Sequence, residues 1–94
     1  MLREIPAGRP HLAVLEGEEI AVVRIGPEFF AVSNVCAHEH IAALHRGRLD
    51  GCTLECPMHG WRYDLRSGLG VTGEGRIRVY ATRVIGDELF VNIS

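Results

Sequence analysis

Short runs of alternating apolar and polar residues mark both ends of the chain. His11–Leu15 and Glu19–Ile25 flank Glu16-Gly17-Glu18, and Phe29–Ser33 follows the turn pair Gly26-Pro27. This punctuation predicts a three-strand meander. Within the second run Ala21, Val23 and Ile25 share one face and Ile20, Val22 and Arg24 the other, the period-two signature of a half-buried strand. Towards the other end Arg78–Ile85 and Glu88–Ile93 are joined by Gly86-Asp87. A two-residue connection with glycine first suits a type II′ hairpin turn. The expected class is antiparallel all-β.

The middle of the chain breaks this rhythm. Between Asn34 and Gly75 the strand-like pieces, Cys52–Glu55 and Trp61–Leu65, are short and interrupted by Gly47, Gly51, Pro57, Gly60, Gly68, Gly70, Gly73 and Gly75. So little apolar periodicity predicts loops held in place by something other than a core of their own. At 94 residues the chain has room for one domain, 1–94, with this loop-rich part at about 34–75.

Charge and composition narrow the function classes. Net charge is −2, with acids and arginines interspersed and no basic stripe, so nucleic acid is not an expected partner. No apolar run approaches the roughly 20 residues of a membrane span, and the start of the chain lacks the basic-then-apolar pattern of an export signal. A cytoplasmic protein without a membrane partner is expected. All ten basic residues are arginine, the side chain better suited to bidentate carboxylate contacts, which keeps a docking face for acidic partners open.

Three cysteines in a chain without an export signal point to metal binding or catalysis before a disulfide scaffold. The candidate constellation is Cys36-Ala37-His38, seventeen residues from Glu39 to Glu55, then Cys56-Pro57-Met58-His59. Each half offers one thiolate and one imidazole within a few residues. Tetrahedral zinc accepts the same four donors, but Cys₂His₂ zinc fingers usually group cysteines with cysteines and place paired histidines on a helix. Mixed halves favour a dinuclear site, with zinc as the alternative metal.

The pattern C-x-H, a gap of seventeen, then C-x-x-H-G-W resembles the cluster signature of Rieske proteins. The stretch from Cys36 to Gly68 is similar to that of Rieske-type ferredoxins serving ring-hydroxylating oxygenases. The resemblance implies a Rieske-type antiparallel β-sandwich with a small loop-rich cluster-binding subdomain. It implies one [2Fe–2S] cluster, with Cys36 and Cys56 on the buried iron and His38 and His59 on the outer iron. It implies an electron carrier with no catalytic residues of its own, supplied by a flavin-dependent NAD(P)H reductase and drained by an oxygenase or other acceptor. A monomer is expected, and a Rieske subunit of a larger redox complex is the alternative.

Residues beside the ligand motifs bear on the potential. High-potential members carry an extra cysteine in each loop, where this chain has Ile41 and Met58, and a serine after His-Gly, where it has Trp61. Tyr63 matches the position of a second hydroxyl donor near a cysteine sulfur. Because hydrogen bonds to sulfur raise the potential, a value of roughly −150 to 0 mV is expected. The family's third, proline-containing loop has a proline-free counterpart at 69–75, which leaves its cover of the cluster open and favours a more mobile lid.

The remaining chemistry-bearing residues have plain readings. Cys52 reads as a small core hydrophobe, and His11, His40 and His45 as uninvolved surface residues. Trp61 reads as packing beneath the loops, and Asp64 with Arg66 as a turn and its solvated neighbour. The glycine run lacks the Lys-Ser/Thr and helix of a phosphate loop.

Overall fold

The computed structural model describes residues 8–35, 43–57, 60–71, 75–86 and 88–92. Its strands are β1 (His11–Leu15), β2 (Glu18–Ile25), β3 (Glu28–Ser33), β4 (Arg48–Asp50), β5 (Thr53–Glu55), β6 (Arg62–Asp64), β7 (Val79–Ile85) and β8 (Glu88–Asn92). A 3-10 turn, Leu44–Arg46, precedes β4. All strand pairs are antiparallel, in a five-stranded sheet ordered β1-β2-β3-β7-β8 and a three-stranded sheet ordered β4-β5-β6.

Turn chemistry sets the hairpins. Leu15 pairs with Glu18, so the first turn is the two residues Glu16-Gly17 and Glu18 already belongs to the strand. Both turn residues have positive φ, +49° and +82°, the type I′ pattern that matches strand twist. Gly26 and Gly86 likewise open their hairpin loops at φ of +60° and +65°, conformations that a side chain would strain. Pro27, locked near −65°, completes a type II′ turn after Gly26. Asp87 lies outside the described residues, so the type of the last turn does too.

Register explains the core. Ala13 faces Ile20, Val22 faces Ala31, Ala31 faces Tyr80 and Val84 faces Leu89. One side of the large sheet therefore collects Ala13, Ile20, Val22, Ala31, Tyr80 and Leu89 into one buried cluster. Since that cluster joins edge strands β1 and β8, the twisted sheet curls around its own apolar face. The opposite side presents Ala21, Val23, Phe30 and Val32 to Leu44, Leu54, Cys56, Tyr63, Leu65 and Ile77 of the glycine-punctuated middle. Strand β2 is thus buried on both faces, with Ile20, Ala21, Val22 and Val23 all inaccessible. The half-buried strand expected from its alternation is corrected: each face has its own cover, one from the curl and one from the small sheet.

In the middle segment the strand-like pieces Cys52–Glu55 and Trp61–Leu65 stand as β5 and β6, and β4 and the 3-10 turn are added to them. Three strands of three residues each, plus the 3-10 turn, contribute side chains to a core shared with β2 and β3. Fully burying each such apolar side chain is worth about 1.5–3 kcal/mol, enough to order short strands that could not persist alone.

Candidate metal centre

Of the four candidate ligands, Cys56 lies within the described residues; Cys36, His38 and His59 lie outside them, as do Ile41, Met58 and His40. What the structure does place is the stem of each loop that carries them.

The C-x-x-H half sits in the β5–β6 hairpin. Glu55 pairs with Arg62, and beyond them the Cys56 N–H donates to the Trp61 carbonyl at 2.6 Å. Segment 57–60 is therefore bracketed by a backbone hydrogen bond between its two flanking residues. Cys56 is fully buried, as a thiolate on an inner metal needs to be. Tyr63 is equally inaccessible in the same cluster, and Trp61 packs half-buried against it. Both placements agree with the packing read for Trp61 and with a tyrosine near the cysteine.

The C-x-H half is bracketed in the same manner. The Asn34 carbonyl accepts the Leu44 N–H at 3.1 Å, so the chain leaves and re-enters at neighbouring points around segment 36–42. Leu44 belongs to the cluster that holds Cys56. Both loops therefore rise from one shared core, although their sequences are seventeen residues apart.

His45 corrects the reading of an uninvolved surface residue. Its backbone N–H donates to Asn34 Oδ1, and its Nδ1 lies 2.9 Å from Asn34 Nδ2. Sequence reasoning missed Asn34 as well, the one fully buried polar side chain among the described residues. Its position two residues before Cys36 was the available signal. Cys52, by contrast, is half-buried against the core as expected.

The stem of the third segment is held by backbone hydrogen bonds. The Gly70 N–H donates to the Gly75 carbonyl at 2.9 Å, and the Val71 N–H to the Arg62 carbonyl at 2.8 Å, extending the edge of β6. Residues 72–74 lie outside the described residues. Gly68 stands so close to the Ile77 backbone carbonyl that a Cβ has no room, and its φ is +79°.

Electrostatics brace this end of the molecule. Arg66 grips Glu28 with two bonds of 3.0 and 3.3 Å and lies 5.2 Å over the Phe30 ring. The hydrogen bond and charge of Glu28 hold its pKa above the usual value. Asp64 Oδ1 accepts the N–H groups of Arg66 and Ser67 at 2.7 and 3.2 Å. Asp64 is therefore the expected turn residue, while Arg66 is more than a solvated neighbour: it ties that turn to β3. Arg62 pairs with Glu55 at 3.3 Å across β5–β6. Bidentate arginine chemistry is thus used within the chain itself.

Two loop stems, a buried cysteine and a donor set of two thiols and two imidazoles fit a dinuclear iron–sulfur group. Among known families, the Rieske [2Fe-2S] domain matches residues 2–83. The chain belongs to the Rieske [2Fe–2S] family. Its cofactor is one Rieske-type [2Fe–2S] cluster. It is 37% identical over 93 residues to the anthranilate 1,2-dioxygenase ferredoxin subunit of Burkholderia cepacia, covering 96% of this chain and 84% of the relative. The ferredoxin of carbazole 1,9a-dioxygenase from Nocardioides aromaticivorans IC177 superposes with a TM-score of 0.87 at 32% identity, covering 93% of this Rieske chain and 86% of that one. A solved complex of reduced oxygenase and oxidized ferredoxin in carbazole 1,9a-dioxygenase contains a chain matched at a TM-score of 0.85 and 28% identity, over 95% of this chain and 93% of that chain. Among the described residues, no helix is long and apolar enough to cross a membrane.

Proposed function

We propose that this Rieske chain is a cytoplasmic one-electron carrier, loaded by a flavin-dependent NAD(P)H reductase and discharged to an oxygenase. Cys36, His38, Cys56 and His59 hold the cluster, Cys36 and Cys56 on the inner iron and His38 and His59 on the outer. The whole chain, 1–94, acts as one domain with its cluster-binding part at about 34–75. The observation that carries this reading is the convergence of both loop stems on the core that buries Cys56. When bound, the cluster supplies a site for one electron. The chain's own part is to bury one end of it, keep the imidazole end towards the surface and present a docking face. Two neutral imidazoles in place of thiolates raise the potential above that of an all-cysteine ferredoxin.

The likeness to dioxygenase ferredoxins, one of them solved with its oxygenase, supports the acceptor class. Spectroscopy and transfer test the reading together. Reduced protein should give the electron paramagnetic resonance signal of a histidine-ligated cluster, pass electrons to a dioxygenase component, and lose both in His38→Ala and His59→Ala. A colourless protein holding one zinc, or variants that transfer normally, would overturn it.

A further inference from the structure

Asn34 is inaccessible to solvent, yet every polar group it has is engaged. Its backbone N–H donates to the Glu19 carbonyl at 3.0 Å and its carbonyl accepts the Leu44 N–H at 3.1 Å. Its amide oxygen accepts the His45 backbone N–H. Because that N–H can only donate, the amide oxygen must face it, and the amide nitrogen is left for the other two partners. Nδ2 lies 3.2 Å from Glu19 Oε1 and 2.9 Å from His45 Nδ1. Nδ1 also lies 3.2 Å from Asn34 Oδ1, so the imidazole meets both ends of the amide and its role as donor or acceptor follows its tautomer.

One side chain therefore spans both ends of segment 36–42 and fastens them to β2. It does so two residues before Cys36. A buried amide costs free energy unless it is hydrogen-bonded, and an apolar residue would fill the same space without that demand. Simple filling of the core does not explain it. From this geometry we propose that Asn34, together with His45 and Glu19, is a positioning residue for the metal centre. It fixes where the Cys36–His38 loop departs and so sets how firmly, and in what geometry, the cluster is held. The proposal rests on the reading of Cys36 and His38 as ligands.

Asn34→Asp is the sharpest probe, since it keeps the shape and the oxygen facing His45 but removes both side-chain N–H donors and sets a carboxylate against Glu19. With unchanged far-ultraviolet circular dichroism, it should release iron to excess chelator about ten-fold faster and shift the g values of the reduced protein. Glu19→Gln in that background offers the introduced carboxylate an amide donor in place of a like charge, and should return the release rate to within about two-fold of the parent. His45→Ala, which retains the backbone donor, should release iron about three-fold faster. Unchanged g values and release rates in Asn34→Asp, or no rescue by Glu19→Gln, would overturn the proposal. Cys36→Ser separates it from the ligand reading. Complete loss of the histidine-ligated signal upholds the ligands whichever way the Asn34 variants behave, whereas its retention would overturn both.

Discussion

The five-stranded sheet and the small β4-β5-β6 sheet are held together by different means. In the large sheet, strands of five to eight residues pair over most of their length within β1-β2-β3 and β7-β8, β3 and β7 join at two register positions, and side chains of β2 and β3 alternate between two apolar clusters. In the small sheet each strand has three residues. What orders it is the core it shares with β2 and β3, ringed by closures: the Cys56–Trp61 pinch, the Val71–Arg62 extension and the Arg66–Glu28 bridge. A periodic sheet is a stiff base. Short strands joined by pinched loops are what a metal site needs, because ligands must approach one centre from different points of the chain.

If the small sheet depends on the core it shares with β2 and β3, then Leu54→Ala should be the most damaging of its single changes. Removing a side chain that is fully buried between the sheets should cost about 2–5 kcal/mol in denaturant unfolding of the cluster-free chain. Val84→Ala, half-exposed on the large sheet, should stay within about 0.5 kcal/mol. Comparable losses at both sites would erase the contrast. Gly68→Ala tests the stem of the third segment. Its positive φ and the nearby Ile77 carbonyl predict a loss of about 1–3 kcal/mol, read from the thermal midpoint, and a neutral result would mean the stem is not fixed there.

A smaller effect should fall on the cluster and not on the fold. Tyr63→Phe keeps the buried ring but removes its hydroxyl. If that hydroxyl serves a cysteine sulfur, the midpoint potential should drop by roughly 20–60 mV, the equivalent of one hydrogen bond for a single electron. An unchanged titration would assign Tyr63 to packing alone. The smallest change is expected from Arg66→Ala. Its bridge to Glu28 is solvent-exposed, and water and salt screen such pairs until little stability is left in them. A larger, salt-insensitive loss would show that the bridge, and not the shared core, joins the sheets.

The chain's own pattern determined the strands of the large sheet and its hairpin turns, and supplied the candidate donor set of cysteines and histidines. Each of these is a local property: alternation, a glycine at a turn, a spacing. Runs 11–15 and 28–33 stand within a residue or so of where alternation puts them. The tertiary structure alone decided that β2 is covered on both faces, that the glycine-rich middle builds a second sheet, and that Asn34 and His45 meet across segment 36–42. Those outcomes depend on contacts between residues distant in sequence. No local period records which buried face receives a second cover, or which polar side chain finds a partner once both are removed from water.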